Sequence, residues 1–354
     1  MKDRFSRRNF VGNAVALGAA GAASGAPVAA APKGPPKFVS VTNVKRFGAK
    51  GNGKHDDTRA IRRAIAQGNR SRNAVYFPAG TYITSAPLEC PPETMLLGAG
   101  PIRSIIKASK KFKFPNDDTA MIRSHGAKFG RPAPSRRLTM SGIKVDGDRV
   151  PGSNGILVSP QQPAYFENVR ADKCLGYGMA VVDCQQMVFR NIELIDNGIG
   201  LVINSGEFLF FYDLNIERSK HAYVRLQRQS PNGETVAIRN QSIHFIGVHM
   251  EQSTASSAPF FDVRSGRGLL FQNNYFSARS GAIYKFSSMD SGTPEQGHTY
   301  VIVDAQTAGS PEGVSFISDA SRGLNLNAFD DFRSHIPMFI APQMNPDPFT
   351  GPSL

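Results

Sequence analysis

Between residues 138 and 276 apolar side chains recur at positions n, n+2, n+5 and n+7, with n = 138, 164, 187, 209, 243 and 269. The sets are Leu138/Met140/Ile143/Val145, Ala164/Phe166/Val169/Ala171, Met187/Phe189/Ile192/Leu194, Leu209/Phe211/Leu214/Ile216, Ile243/Phe245/Val248/Met250 and Leu269/Phe271/Asn274/Phe276, with Asn274 the one departure. A step of two is strand spacing. The step of three between n+2 and n+5 reverses the parity, so the chain must bend there. Position n+4 reads Gly142, Asn168, Asn191, Asp213, Gly247 and Asn273, the residue types that tolerate a left-handed backbone. A corner between two short strands, repeated at intervals of 22 to 34 residues, describes one coil of a parallel β-solenoid.

A further strand is expected in each coil, over 155–158, 178–182, 200–203, 222–226, 259–263 and 281–286, and others over 300–303 and 313–317. The widest interval leaves room for a polar insertion over 227–241. The competing α/β architecture needs several helices, and one is evident. Asp56-Asp57-Thr58 offers its N-terminus, and Ala60, Ile61, Ala64 and Ile65 form its apolar stripe. The expected fold class is therefore all-β, a single-stranded right-handed parallel β-helix with a short N-terminal capping helix.

The ends differ from the body. Arg7-Arg8 precedes a weakly apolar run of Ala, Gly and Val reaching Ala31, which reads as a twin-arginine export signal and implies a periplasmic or secreted protein. The run is broken by Pro27 and too poor in large apolar residues for a membrane span. The expected domains are 1–31 signal, 32–42 linker, 43–340 β-helix and 341–354 a Pro-rich tail. Cys90, Cys174 and Cys184 form no CxxC and are too few for a disulfide scaffold. The net charge is +13, and little of it lies in residues 1–31. A basic body favours polyanionic partners. No basic–aromatic module points to nucleic acid.

Phe47-Gly48-Ala49-Lys50-Gly51-Asn52-Gly53, then Asp56-Asp57-Thr58, then Val75-Tyr76-Phe77-Pro78-Ala79-Gly80-Thr81-Tyr82, then Leu97-Gly98-Ala99-Gly100 resemble the N-terminal signature of the pectate-lyase-superfamily right-handed β-helix proteins, which include rhamnogalacturonase-like, polygalacturonase-like and epimerase-like members and phage tailspikes. The signature covers about 43–107, and the repeat extends the likeness to about 290. The resemblance implies the fold and a link to polysaccharides. Its segments carry capping and first-coil structure and no assigned catalysis. The Asn-Thr-Asp, Asp-Asp, Gly-His-Gly and Arg-Ile-Lys motifs of polygalacturonase-type hydrolases do not stand at the corresponding strands.

Residues n+6 and n+8 point away from the apolar n+5 and n+7. They read Lys144/Asp146, Arg170/Asp172, Glu193/Ile195, Asn215/Glu217, His249/Glu251 and Tyr275/Ser277. Stacked coils lie roughly 4.8 Å apart, so acids on this stripe fall within glycosidase separations of roughly 5–9.5 Å, and close carboxylates divide into an acid and a base. Glu217, Glu251, Arg225 and His221 are the candidate catalytic residues. Lys144, Asp146, Arg170, Asp172, His249, Asp262, Lys285 and Tyr223 are the candidate substrate-binding residues. Arg225, Asp262 and Lys285 are expected on neighbouring coils. A cation there could neutralise a uronate and take its α-proton. With no Trp in the chain, stacking on sugars would fall to Tyr165, Tyr177, Tyr212, Tyr223 or Tyr275. No cofactor is required, and the acids could hold Ca²⁺ through hard oxygen ligands.

Two classes of function fit. One is cleavage of an acidic polysaccharide or oligosaccharide by β-elimination or hydrolysis, with uronate epimerisation as a variant. The other is non-catalytic polysaccharide binding or surface structure. Proteins of this group are monomers or homotrimers.

Overall fold

A computed structural model of the chain describes residues 40–129, 137–159, 164–227, 240–252, 257–266, 268–277, 283–286, 300–308 and 339–340. The regions read as signal, insertion core 228–239, strand 313–317 and Pro-rich tail lie outside them. The first strand, Val41–Asn43, starts inside the stretch read as linker, because it pairs with Ala74–Tyr76.

The described strands join in one continuous hydrogen-bonded system whose coil-to-coil pairings are parallel. The short strand Phe339–Ile340 instead runs antiparallel to Val301 and Ile302. The result is a parallel β-helix with three walls. The first wall holds positions n to n+3 and climbs from Val41–Asn43 to Val303. The second holds n+5 to n+8 and climbs from Asn52–Asp56 to Ala308. The third holds the additional strands, from Leu88–Cys90 to Tyr284–Phe286.

Every n+4 residue takes positive φ: Gly142 68°, Asn168 52°, Asn191 50°, Asp213 55°, Gly247 67° and Asn273 52°. That is the corner the parity reversal demands. At Gly142 space adds to conformation, since a Cβ there would stand 2.7 Å from the Gly98 carbonyl oxygen. A second left-handed column, Lys173, Asp196 and Arg218, turns the chain from the second wall towards the third.

The n+5 and n+7 side chains are buried. Asn274 is buried too, and its Oδ1 accepts the Val248 N–H at 2.9 Å, so a polar residue inside the coil closes a corner of the coil before it. Position n+2 builds an aromatic column. Phe166, Phe189, Phe211, Phe245 and Phe271 stack at successive centroid distances of 5.3, 4.5, 5.1 and 5.5 Å. A smaller apolar cluster lies outside the third wall, where Phe129 and Tyr177 cover Leu157, Ala180, Val182 and Val202.

Helix α1 (Thr58–Ser71) closes the N-terminal end, burying Ala60, Ile61, Ala64 and Ile65 against the first coils. Asp56 caps it, its carboxylate accepting from the Thr58 N–H at 3.0 Å. Asp57 reaches back instead, accepting from Lys50 and Gly51 N–H at 2.7 and 2.9 Å. The signature segments thus fasten the 47–53 loop and helix to the first coil. No helix among the described residues is long and apolar enough to cross a membrane.

Candidate functional site

Strand register fixes which side chains become vertical neighbours. On the outside of the second wall, position n+8 gives the column Asp146–Asp172–Ile195–Glu217–Glu251–Ser277, and n+6 gives Lys144–Arg170–Glu193–Asn215–His249–Tyr275. Asp172, Glu217 and Glu251 share that wall, with Ile195 between the first two.

The column expected to be open along its length is closed at its N-terminal half. Asp146 and Asp172 are buried. Asp172 is 2.7 Å from the Lys144 ammonium and is held by the Arg170 guanidinium at 2.8 Å, while Arg170 also meets Glu193 at 3.0 Å. Asp146 accepts the Asp148 N–H at 2.9 Å, ending its strand in a turn. Lys144, Asp146, Arg170 and Asp172 therefore neutralise one another. The carboxylate oxygens of Asp172 and Asp146 are thus turned to these cations and to a backbone N–H.

The C-terminal half is open, and a chain of hydrogen bonds runs through it from Arg218 to His249. Glu217 accepts from Arg218 at 2.5 Å and from Asn215 Nδ2 at 2.9 Å. Asn215 Oδ1 lies 3.0 Å from His249 Nδ1. The His249 ring stacks on Tyr275 at 5.2 Å and 24°, and Tyr275 is exposed. Glu251, beside Glu217 in register, is exposed. Acid, imidazole and aromatic ring thus share one face.

Round the next corner Arg218 also donates to Asp196 at 2.8 Å, and Arg149 stands 3.8 Å from the same carboxylate. These three line a half-open cleft of about 180 Å³ with Leu175, Asn197, Gly198, Lys220 and His221. Three cationic side chains there face one carboxylate. Partial burial holds His221 below the usual imidazole range, and Lys220 and Arg225 push it the same way. The Arg218 bond, with Arg149 and Lys173 nearby, outweighs burial and holds Asp196 below the carboxylate range.

Three candidates sit otherwise than expected. Tyr223 is buried and donates its hydroxyl to the Glu251 carbonyl at 2.8 Å, so it braces the coil and offers no ring to a sugar. Arg225, Asp262 and Lys285 are in register on the third wall, but buried Asp262 is taken by Arg225 at 2.9 Å and Arg264 at 3.0 Å. The Arg225 guanidinium is therefore engaged by Asp262. Of the other tyrosines, Tyr177 is buried, and Tyr165 and Tyr212 stand half-buried on the first wall.

Sequence reasoning missed Arg149, Asp196 and Asn215 as site members. Asp196 carried a signal, since an Asp one step beyond n+8 marks a left-handed corner that aims its side chain outwards. It also missed Asp183, a buried left-handed corner residue between the third and first walls, paired with Ser205, whose carboxyl burial pushes up to about 6.

Comparison with known proteins adds observations of three kinds. Residues 41–130 match the family model described as Rhamnogalacturonase A/epimerase, pectate lyase-like. A protein of Arthroderma benhamiae named a probable glucan endo-1,3-beta-glucosidase is 24% identical over 306 residues, which is 79% of this chain and 33% of that protein. The pre-neck appendage protein of Bacillus phage phi29 is 43% identical over 65 residues, 18% of this chain and 7% of the phage protein. The chain thus spans a third or less of these relatives. Among solved structures, ORF18 of Geobacillus virus E2 superposes with a TM-score of 0.59 at 18% identity, covering 79% of this chain and 60% of that one. The tailspike protein gp49 of Pseudomonas phage LKA1 gives 0.58 at 10% identity, covering 75% and 64%. The chain is a parallel β-helix whose first coils carry the pectate-lyase-like, rhamnogalacturonase/epimerase sequence pattern.

Proposed function

We propose that the protein is an exported carbohydrate-active β-helix that cleaves an acidic, uronate-containing polysaccharide by β-elimination or hydrolysis. The observation that carries this reading is the cleft in which Arg149 and Arg218 meet Asp196 beside Lys220 and His221, continuous through Arg218 with the Glu217–Glu251 face. Cations in excess of carboxylates suit a sugar carboxylate. Glu217 and Glu251 are register partners on paired strands, whose spacing of about 4.8 Å is close to the roughly 5–5.5 Å of a retaining carboxylate pair, which supports them as that pair, and the His249–Tyr275 stack offers a planar surface to a pyranose. The relative named for glucan hydrolysis supports carbohydrate chemistry.

The test incubates the full chain with a panel of uronate polysaccharides and a neutral β-1,3-glucan. Ultraviolet absorbance of an unsaturated uronate reports elimination. New reducing ends without it report hydrolysis. The expected outcome is product from an acidic polymer, reduced at least about 100-fold in Glu251→Gln with the fold intact by circular dichroism. A glycan bound and left whole would make the protein a binding module, and product from the neutral glucan alone would overturn the acidic substrate.

A further inference from the structure

The hydrogen bonds around Asn215 determine which nitrogen of His249 carries the proton. An ionised carboxylate only accepts. Asn215 therefore turns its NH₂ towards Glu217, at 2.9 Å, and presents its carbonyl oxygen to His249 Nδ1, at 3.0 Å. That oxygen also only accepts, so Nδ1 must be the donor. A neutral imidazole has one N–H, which leaves Nε2 with its lone pair. No side chain among the described residues hydrogen-bonds Nε2. The ring is clamped on its other side by Tyr275, 5.2 Å away and tilted 24°. The charged groups on its outer face are Glu251, two residues on in its own strand, and Glu217 in the coil before, which is itself paired with Arg218.

We propose that His249, held as the Nδ1–H tautomer by Asn215 and Glu217, presents its bare Nε2 as the proton acceptor for a glycan on the outer face of the second wall. This rests on reading that face as the one that meets the glycan. Asn215 is a positioning residue, acting only through the imidazole. In β-elimination the C5–H bond of the uronate breaks and its proton goes to Nε2, giving an imidazolium. The electron pair becomes the C4=C5 double bond. The C4–O bond breaks, and the glycosidic oxygen leaves with its pair and takes a proton from water. The bonds from Nδ1 through Asn215 to Glu217 then place a carboxylate at the far end of the new positive charge.

Long-range proton–nitrogen correlation spectra of the ¹⁵N-labelled full chain, at pH above the imidazole titration, read the tautomer directly. The expected spectrum has Nδ1 protonated and Nε2 bare for His249. In Asn215→Leu the population shifts towards Nε2–H, the form a free imidazole prefers in water. With the polymer the wild type cleaves, His249→Gln is expected to lose at least about 100-fold in kcat while still retaining the polymer in a binding assay. Asn215→Leu is expected to lower kcat with little change in KM. A wild-type Nε2–H spectrum overturns the tautomer, and full turnover by His249→Gln overturns the acceptor role. A panel on which the wild type makes no product overturns the functional reading beneath the proposal, while the spectrum still decides the tautomer.

Discussion

Asp183 holds a carboxyl at a buried left-handed corner between the third and first walls. Nothing in its neighbours marks it, because its burial comes from stacking: Val182 pairs with Asn204 and Cys184 with Gly206, which sets Asp183 over Ser205 of the next coil. One carboxylate oxygen, Oδ2, is buried and without a hydrogen-bond partner. Burial raises the folded carboxyl to about 6, whereas an unfolded Asp titrates near about 3.9. Between those values the folded chain binds more protons than the unfolded one, so stability falls as pH rises from about 4 to beyond 6. Asp183→Asn keeps the shape and tolerates the left-handed corner. It is expected to raise unfolding free energy at pH 8 by about 1–3 kcal/mol and to change little at pH 4. Urea titrations at the two pH values check this, and an equal effect at both would refute it. The acids legible in the sequence had the opposite fate. Asp146 and Asp172 were readable as outward, but not as covered, because the Lys144 and Arg170 side chains that close over them are neighbours through register and rotamer.

At the scale of the strand and its corner the sequence was most informative. Period two fixed the faces, the three-residue step fixed the bend, and Gly, Asn or Asp at each bend is what a positive φ requires. Those are local constraints, so they survive in any window of ten residues. Which wall meets which ligand is not local. It depends on the corner after n+8, where Asp196 and Arg218 turn outward and Tyr223 tucks under Glu251. The same alternation gives Phe210 and Phe211 different weights. Phe211 lies inside the aromatic column, against Phe189 and Phe245. Phe210 lies half-buried outside, beside Tyr212 and His244. Phe211→Ala is expected to cost about 3–5 kcal/mol, and Phe210→Ala about 1 kcal/mol. Denaturant unfolding of the two variants measures both. Equal losses would mean that the column is not what holds successive coils together.

For the molecule as a whole, charge decides more than any one contact. The chain carries +13, yet many cations are already spent: Lys144 on Asp172, Arg170 on Asp172 and Glu193, Arg225 and Arg264 on Asp262. Arg149 and Lys220 at the cleft are exposed, and Arg218 is only partly covered. Charges in that position are felt by a polyanion through solvent, where salt shortens their reach from about 10 Å at 0.1 M to about 3 Å at 1 M. Affinity for a uronate polymer is therefore expected to fall steeply as salt rises, and the fall should be traceable to the cleft. Replacing Arg218 and Lys220 together by Ala removes exposed charge and should lower both the affinity and its salt dependence. Lys144→Ala removes a cation of the same sign that faces Asp172, and should leave the salt dependence unchanged while lowering stability, because it strips a buried carboxylate of a partner. Isothermal titration of the three proteins across a salt series separates the effects. Binding insensitive to salt, or a salt slope equally reduced by Lys144→Ala, would mean that the polymer is not held at the cleft.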